Sequence, residues 1–100
     1  MFAASVLFPA TGFADPLAGR DIAAQKCAPC HGVDGMALVE ETPNLAGQNR
    51  GYLARQLLAY RAGQRRHEKM TPAVLALNDE EIADLAEWYS SITISATPPE

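Results

Sequence analysis

Two cysteines and a histidine stand close together in the first third of the chain. The segment reads Cys27-Ala-Pro-Cys30-His31, and the chain has no other cysteine. Two thiols at this spacing can form thioethers with the two vinyl groups on one edge of a porphyrin. The histidine that follows can present a neutral imidazole to the iron. The pattern C-x-x-C-H therefore predicts covalent attachment of one haem c through Cys27 and Cys30, with His31 as an iron ligand.

Three other chemistries fit this cluster less well. A structural zinc site needs four ligands, and His67 is the only further histidine or cysteine in the chain. A thioredoxin-like redox pair belongs next to a βαβ unit, and no run of paired strands is evident. A plain disulfide would leave His31 without a role.

The elements that must position this cluster are predicted to be helices, so the fold class is all-α. The first helix is expected over residues 17–28, with Asp15 as its cap and Pro16 at its start. The last helix begins after Asn78, which forms a capping-box pattern with Glu81. The apolar stripe of this last helix consists of Ile82, Leu85, Ala86 and Tyr89, with Trp88 beside it.

A third principal helix is predicted over residues 49–62, and Gly63 marks its end. Thr71-Pro72 can open one short turn of helix through Leu77. Two long connections, 32–48 and 64–77, remain around these elements, which is unusual in so small a domain. A bundle of this size also needs reinforcement, so a large apolar group is expected to fill its centre.

Composition limits the remaining possibilities. One hundred residues form one small domain, and the net charge of −4 argues against a nucleic-acid binder. Residues 1–14 carry no charge, and Gly12 and Ala14 are small residues placed as in a secretory cleavage site. The basic start of such a signal is missing, which is consistent with a true start upstream of Met1. The alternative is a buried apolar segment of the domain.

Several motifs, in this order along the chain, resemble those of class I cytochromes c. They are Cys27-Ala-Pro-Cys-His31-Gly32, Pro43-Asn-Leu-Ala-Gly-Gln48, Tyr52-Leu53 with Gln56-Leu57, Met70-Thr-Pro, and Asp79-Glu-Glu-Ile-Ala-Asp-Leu-Ala-Glu-Trp-Tyr89. The chain is most similar to small bacterial monohaem carriers and to one half of tandem dihaem cytochromes. The resemblance implies a cytochrome c domain over residues 15–92, followed by a flexible tail, 93–100.

The resemblance also implies a second iron ligand on the face opposite His31. Met-Thr-Pro resembles the ligand segment of the family, which favours Met70 as that ligand. Met36 is a weaker alternative because its loop would have to wrap around the edge of the ring. His67 would give ligation by two histidines, although a solvated histidine is the simpler interpretation.

Other roles carried over from the family concern the support of these ligands. The carbonyl of Pro43 is expected to accept a hydrogen bond from the second ring nitrogen of His31, and Leu45 is expected to lie against the porphyrin. The first and last helices should cross where Gly19 meets Trp88 and Leu85. Arg50, Tyr52 and Trp88 are open candidates for contact with the haem propionates.

The function implied is that of a one-electron carrier and not of an enzyme. It would cycle between Fe(III) and Fe(II) in the periplasm, between redox proteins that include membrane respiratory complexes, without nucleic acid or a small-molecule substrate. Two alternatives stay open: a haem subunit of a larger oxidoreductase, and a peroxidase-like protein that activates a ligand. Arg65, Arg66 and Lys69 are predicted either to steer an acidic partner or to form an ordinary solvated surface.

Overall fold

A computed structural model of the protein describes residues 13–100, and the regular elements within that range are all α-helices. The five helices are α1 (Pro16–Lys26), α2 (Ala28–His31), α3 (Arg50–Arg61), α4 (Met70–Leu75) and α5 (Asp79–Ser91). The predicted all-α class is therefore confirmed. Residues 1–12 of the predicted signal segment lie outside the described residues. Across residues 13–100, every helix is too short or too polar to cross a membrane.

Helices α1 and α5 cross at a glycine, as predicted. A Cβ atom built on Gly19 would overlap the backbone carbonyl of Asp84 and would lie 2.9 Å from the Cβ atom of Trp88. The two helices therefore approach each other more closely than any side chain at position 19 would allow. This crossing joins the two ends of the domain.

The first predicted helix is divided in two. Helix α1 ends at Lys26, and α2 begins at Ala28 as a separate single turn. Pro29 explains the break, because its ring nitrogen has no hydrogen to donate and its ring would clash with the carbonyl four residues earlier. The amides of Cys30 and His31 both donate instead to the carbonyl of Cys27. Because of this break, the turn that carries Cys30 and His31 is a separate element and does not continue α1.

The caps and the glycine stop predicted at three helix ends are present in the structure. The carboxylate of Asp15 accepts a hydrogen bond from the amide of Leu17, with Pro16 at the start of α1. Asn78 and Glu81 form a full capping box at α5. Gly63 follows α3 with a φ of 78°, a left-handed conformation that glycine adopts without strain.

The core lies between α1, α3, α4 and α5. It contains the whole predicted stripe of α5 together with Ala23, Leu53, Tyr60, Val74 and Leu77. Leu17 on α1 is exposed, whereas Asp84 on α5 is buried. Its carboxylate accepts a hydrogen bond from the amide of Asp15, so it fixes the start of α1 against α5.

The two long connections have local order that the sequence patterns did not predict. The segment between α2 and α3 folds back on the attachment motif through a hydrogen bond from the amide of Leu38 to the carbonyl of Cys30. The amides of Leu45 and Ala46 both donate to the carbonyl of Gly35. The short fourth helix begins at Met70 and ends at Leu75, so Met70 is the first residue of a helix and not part of a loop.

Candidate functional site

A cavity of about 430 Å³ lies at the centre of the domain. Cys27, Cys30 and His31 line it together with Pro43, Leu45 and Met70. The cavity thus brings together the residues predicted to attach the haem, to ligate the iron and to support these ligands, whereas Met36, Arg50 and Trp88 lie outside its wall. Apolar side chains from α3, α4, α5 and the link between the last two complete it: Leu53, Leu57, Val74, Leu77, Leu85 and Ala86. A mainly apolar cavity with a few polar groups is typical of a cofactor site.

The ring of His31 has a fixed orientation. His31 is buried, and its Nδ1 atom lies 2.9 Å from the carbonyl oxygen of Pro43. Because a carbonyl can only accept, Nδ1 carries the proton in this hydrogen bond, and Nε2 is left with its lone pair. A histidine held in this way can offer Nε2 to a metal ion.

Cys27 and Cys30 are half-buried at the edge of the cavity. Burial raises the pKa of the Cys27 thiol to about 11, and a contact with Tyr89 and the charge of Lys26 offset only part of that effect. Burial likewise raises the pKa of Tyr89 well above its usual range. Cys27 and Tyr89 are therefore uncharged at neutral pH, which suits the wall of a cavity for an apolar macrocycle.

Two aromatic side chains of α5 hold the backbone that follows His31. The hydroxyl of Tyr89 donates to the carbonyl of Gly32 at 2.9 Å, and the indole N–H of Trp88 donates to the carbonyl of Val33 at 2.7 Å. The sequence patterns predict neither bond: they place Tyr89 in the apolar stripe of α5 and Trp88 at the helix crossing or near the propionates. The hydroxyl of Tyr89 and the indole N–H of Trp88 are the signal for these bonds, because the polar group of a buried Tyr or Trp usually needs a hydrogen-bond partner.

The three candidates for a second iron ligand lie in different surroundings. Met70 is half-buried against the core and lines the cavity. Met36 is 47% exposed and lies outside the cavity wall. His67 is exposed at the rim, and its Nδ1 atom accepts hydrogen bonds from the amides of Lys69 (3.1 Å) and Met70 (3.3 Å).

The polar rim of the cavity differs from the expected one. Of the three residues considered for the propionates, Tyr52 lines the cavity, whereas Arg50 pairs with Glu87 and Trp88 bonds to Val33. Arg65 was not considered for this role, yet it lines the cavity. Gln56 accepts a hydrogen bond from its guanidinium at 2.7 Å, and the guanidinium also lies 4.7 Å from the centre of the Tyr60 ring.

The basic cluster separates into residues with different surroundings. Arg65 and Lys69 lie at the cavity, and Arg66 faces a neighbouring open groove. The groove also holds Arg61, which is already bonded to Asp79 and to the carbonyl of Leu77. The cluster therefore contributes two positive charges to the central cavity, which Lys26 and Glu41 also line.

The donor set suits a haem better than a bare metal ion. Within residues 13–100, three or more His, Cys, Asp and Glu side chains do not converge anywhere as ligands of a metal ion. One imidazole, one thioether and two thiols around a large apolar cavity match the needs of a covalently attached haem.

Comparison with known proteins identifies the family. The family model for cytochrome c matches residues 17–93. Cytochrome c-554(548) of Halomonas halodenitrificans is 46% identical over 80 residues, which cover 77% of this chain and 95% of that protein. Cytochrome c4 of Thiocapsa roseopersicina is 41% identical over 88 residues, which cover 86% of this chain and 45% of that protein. The chain belongs to the cytochrome c family.

Solved structures agree with this assignment. The reduced recombinant cytochrome c4 from Pseudomonas stutzeri has a TM-score of 0.74 and 34% identity, covering 81% of this chain and 47% of that one. A thiosulfate dehydrogenase (TsdBA) from Marichromatium purpuratum has a TM-score of 0.71 and 32% identity, covering 84% of this chain and 20% of that one. The fold is that of a cytochrome c, and the chain spans about half the length of the cytochromes c4.

Membership in this family fixes the cofactor and the general activity. Haem c is attached through Cys27 and Cys30, and the protein transfers electrons and is not an enzyme.

Proposed function

We propose that the protein is a diffusible periplasmic one-electron carrier whose haem is ligated by His31 and Met70. The observation that carries this proposal is the presence of both side chains in the wall of one apolar cavity, with the two tethering cysteines. When bound, the haem iron supplies the Fe(III)/Fe(II) couple. The role of the polypeptide is to hold the two iron ligands in place and to exclude water from the cavity.

The two ligands are held by different means. Pro43 fixes the imidazole of His31 through Nδ1, and helix α4 begins at Met70. Thioether ligation raises the reduction potential relative to harder ligands. Ligands that stay in place in both oxidation states also keep the reorganisation small, which favours rapid transfer.

Electron exchange between the haem and another redox protein depends on the exposed rim of the cavity. Exposed residues of the chain, including Glu41, Asn44 and Lys69, border the cavity. One edge of the cofactor is therefore expected close to solvent, where the redox centre of a docked protein comes within tunnelling distance. This supports exchange with redox proteins, and the charges of Arg65 and Lys69 support an acidic docking surface on one of them.

A second candidate function is that of a haem subunit in a permanent oxidoreductase complex. A protein of Stutzerimonas stutzeri named thiosulfate dehydrogenase electron acceptor is 42% identical over 69 residues, which cover 32% of that protein. Gel filtration of a native extract separates the two candidates, because a free carrier elutes as a small protein and a subunit elutes with its complex.

Ligation by Met70 is tested with two methionine variants. The ferric protein should show the far-red absorption band of an iron–sulfur bond. Met70→Ala should lose this band, and Met36→Ala should keep it. Retention of the band in Met70→Ala, or its loss in Met36→Ala, would overturn the proposed ligand.

Carbon monoxide distinguishes a carrier from a ligand-activating haem protein. The ferrous wild-type protein should bind it weakly because Met70 closes the sixth position, and Met70→Ala should bind it readily. Tight binding by the wild type would instead support the peroxidase-like alternative, which requires an open site.

A further inference from the structure

The turn before α4 is organised around the side chain of His67. Its Nδ1 atom accepts hydrogen bonds from the amides of Lys69 and Met70, at 3.1 and 3.3 Å. Its own amide donates to the hydroxyl of Thr71 at 2.9 Å, and its carbonyl accepts from the amide of Thr71 at 3.0 Å. Four hydrogen bonds thus tie His67 to the three residues around the start of the helix.

These bonds compensate for a helix start that lacks the usual cap. Lys69 occupies the capping position of α4, and its side chain makes no capping hydrogen bond. The first amides of a helix have no partner within the helix and need an acceptor from elsewhere. Here the imidazole accepts from residues two and three positions later, as the side chains of Asp and Asn commonly do in turns.

We infer that His67 is a positioning residue for Met70: its imidazole and the hydroxyl of Thr71 together hold the backbone from which the methionine reaches into the cavity. This inference rests on the proposed role of Met70 as an iron ligand. The backbone amide of Met70 is itself one of the bonded groups, so loss of the imidazole acts directly on the residue that carries the thioether.

The position of His67 separates this role from general stability. The side chain is exposed and lies outside the hydrophobic core. Its replacement should therefore leave the packed helices intact and change how often Met70 leaves the iron. The engagement of Nδ1 with two amides also gives the histidine a function that does not need the iron.

The test measures how readily added imidazole displaces Met70 from the ferric protein. His67→Leu removes the acceptor, and Thr71→Val removes the hydroxyl, so each should raise the apparent affinity for imidazole by about fivefold. His67→Asn keeps a short side-chain acceptor and should restore an affinity close to that of the wild type. Urea unfolding followed by circular dichroism should differ little among these variants.

The outcomes distinguish this inference from the ligand assignment. If the far-red band survives in Met70→Ala, the proposed ligand is wrong. If Met70→Ala loses the band but His67→Leu and Thr71→Val bind imidazole as the wild type does, the ligand stands and the positioning role is wrong. Equal effects of His67→Leu and His67→Asn would also overturn it, because the acceptor would then be irrelevant.

Discussion

At the residue scale, the hydroxyl of Tyr89 has the clearest structural consequence. Tyr89 is 3% exposed, and its hydroxyl donates to the carbonyl of Gly32, the residue directly after His31. The bond therefore holds the end of the attachment motif against α5. The same carbonyl also accepts a hydrogen bond from the amide of Gly35, at 3.2 Å.

Replacement of this tyrosine should destabilise the holoprotein. Tyr89→Phe removes the hydroxyl and leaves the carbonyl of Gly32 with the amide of Gly35 as its remaining donor, so the loss of one hydrogen bond should cost about 0.5–1.5 kcal/mol. Urea unfolding measures the change. Tyr60→Phe is the matched control, because this ring is also buried and a cation–ring contact with Arg65 survives the change. Equal midpoints for the two variants would contradict the proposed importance of the bond.

Residue types and their spacing predicted the chemistry of the site, but they did not predict the hydrogen bonds that hold the attachment motif in place. Cys27, Cys30 and His31 stand in one short segment whose spacing is specific. By contrast, the hydrogen bonds of Trp88 and Tyr89 join positions 55 and 57 residues apart, and such distant pairings leave no local pattern in the sequence.

At the scale of elements, the crossing of α1 and α5 depends on a missing side chain. A Cβ atom at Gly19 would overlap the backbone of Asp84, and backbone in the middle of α5 cannot move aside as a flexible side chain can. Asp84 adds a hydrogen bond to the amide of Asp15 at the same contact. The two helices are thus joined by close packing and by a buried carboxylate.

Even a small substitution at this crossing should be costly. Gly19→Ala should lower the free energy of unfolding by about 1–3 kcal/mol, because overpacking forces the helices apart. Thermal unfolding of the holoprotein measures the effect.

Gly51→Ala in α3 provides the control for this prediction. There a Cβ atom would meet only side-chain atoms of Arg55 and Asn49, at 3.2 and 3.3 Å. Alanine is also the better helix former, so this variant should be neutral or more stable. Equal losses at both positions would contradict a role for the crossing.

Helix boundaries followed from the sequence where a local cap marks them, as at Asp15 and Asn78. They failed where two local signals compete. The periodic pattern over residues 17–28 continues past Lys26, but Pro29 breaks the hydrogen-bond ladder before it. The sequence places the start of α4 one residue late, at Thr71 and not at Met70, because a histidine supplies the acceptor that Asp or Asn commonly provides.

At the scale of the whole molecule, the net charge and the local charge at the cavity have opposite signs. The chain carries a net charge of −4, whereas Arg65 and Lys69 lie at the rim of the cavity. Their neighbour Arg61 is bonded to Asp79. Because salt screens charges over roughly 8–10 Å, the local charges should dominate transfer at the edge of the cofactor.

A small anionic oxidant can test whether the net charge of the chain or the local charge at the cavity governs electron transfer. Oxidation of the ferrous protein by ferricyanide, an anion, should slow several-fold between about 10 mM and about 0.3 M salt. Arg65→Gln should reduce this dependence, and Arg55→Gln should not, because Arg55 lies outside the cavity wall. Stopped-flow rates that rise with salt would show that the net charge governs the reaction and would contradict the local account.

The most direct test of the account is a spectroelectrochemical titration of the purified protein. We expect a single, reversible one-electron transition of a covalently attached haem, with the far-red band present in the ferric form and lost on reduction. A protein that shows no reversible transition, or a ferric form without that band, would contradict a carrier whose iron is held between His31 and Met70.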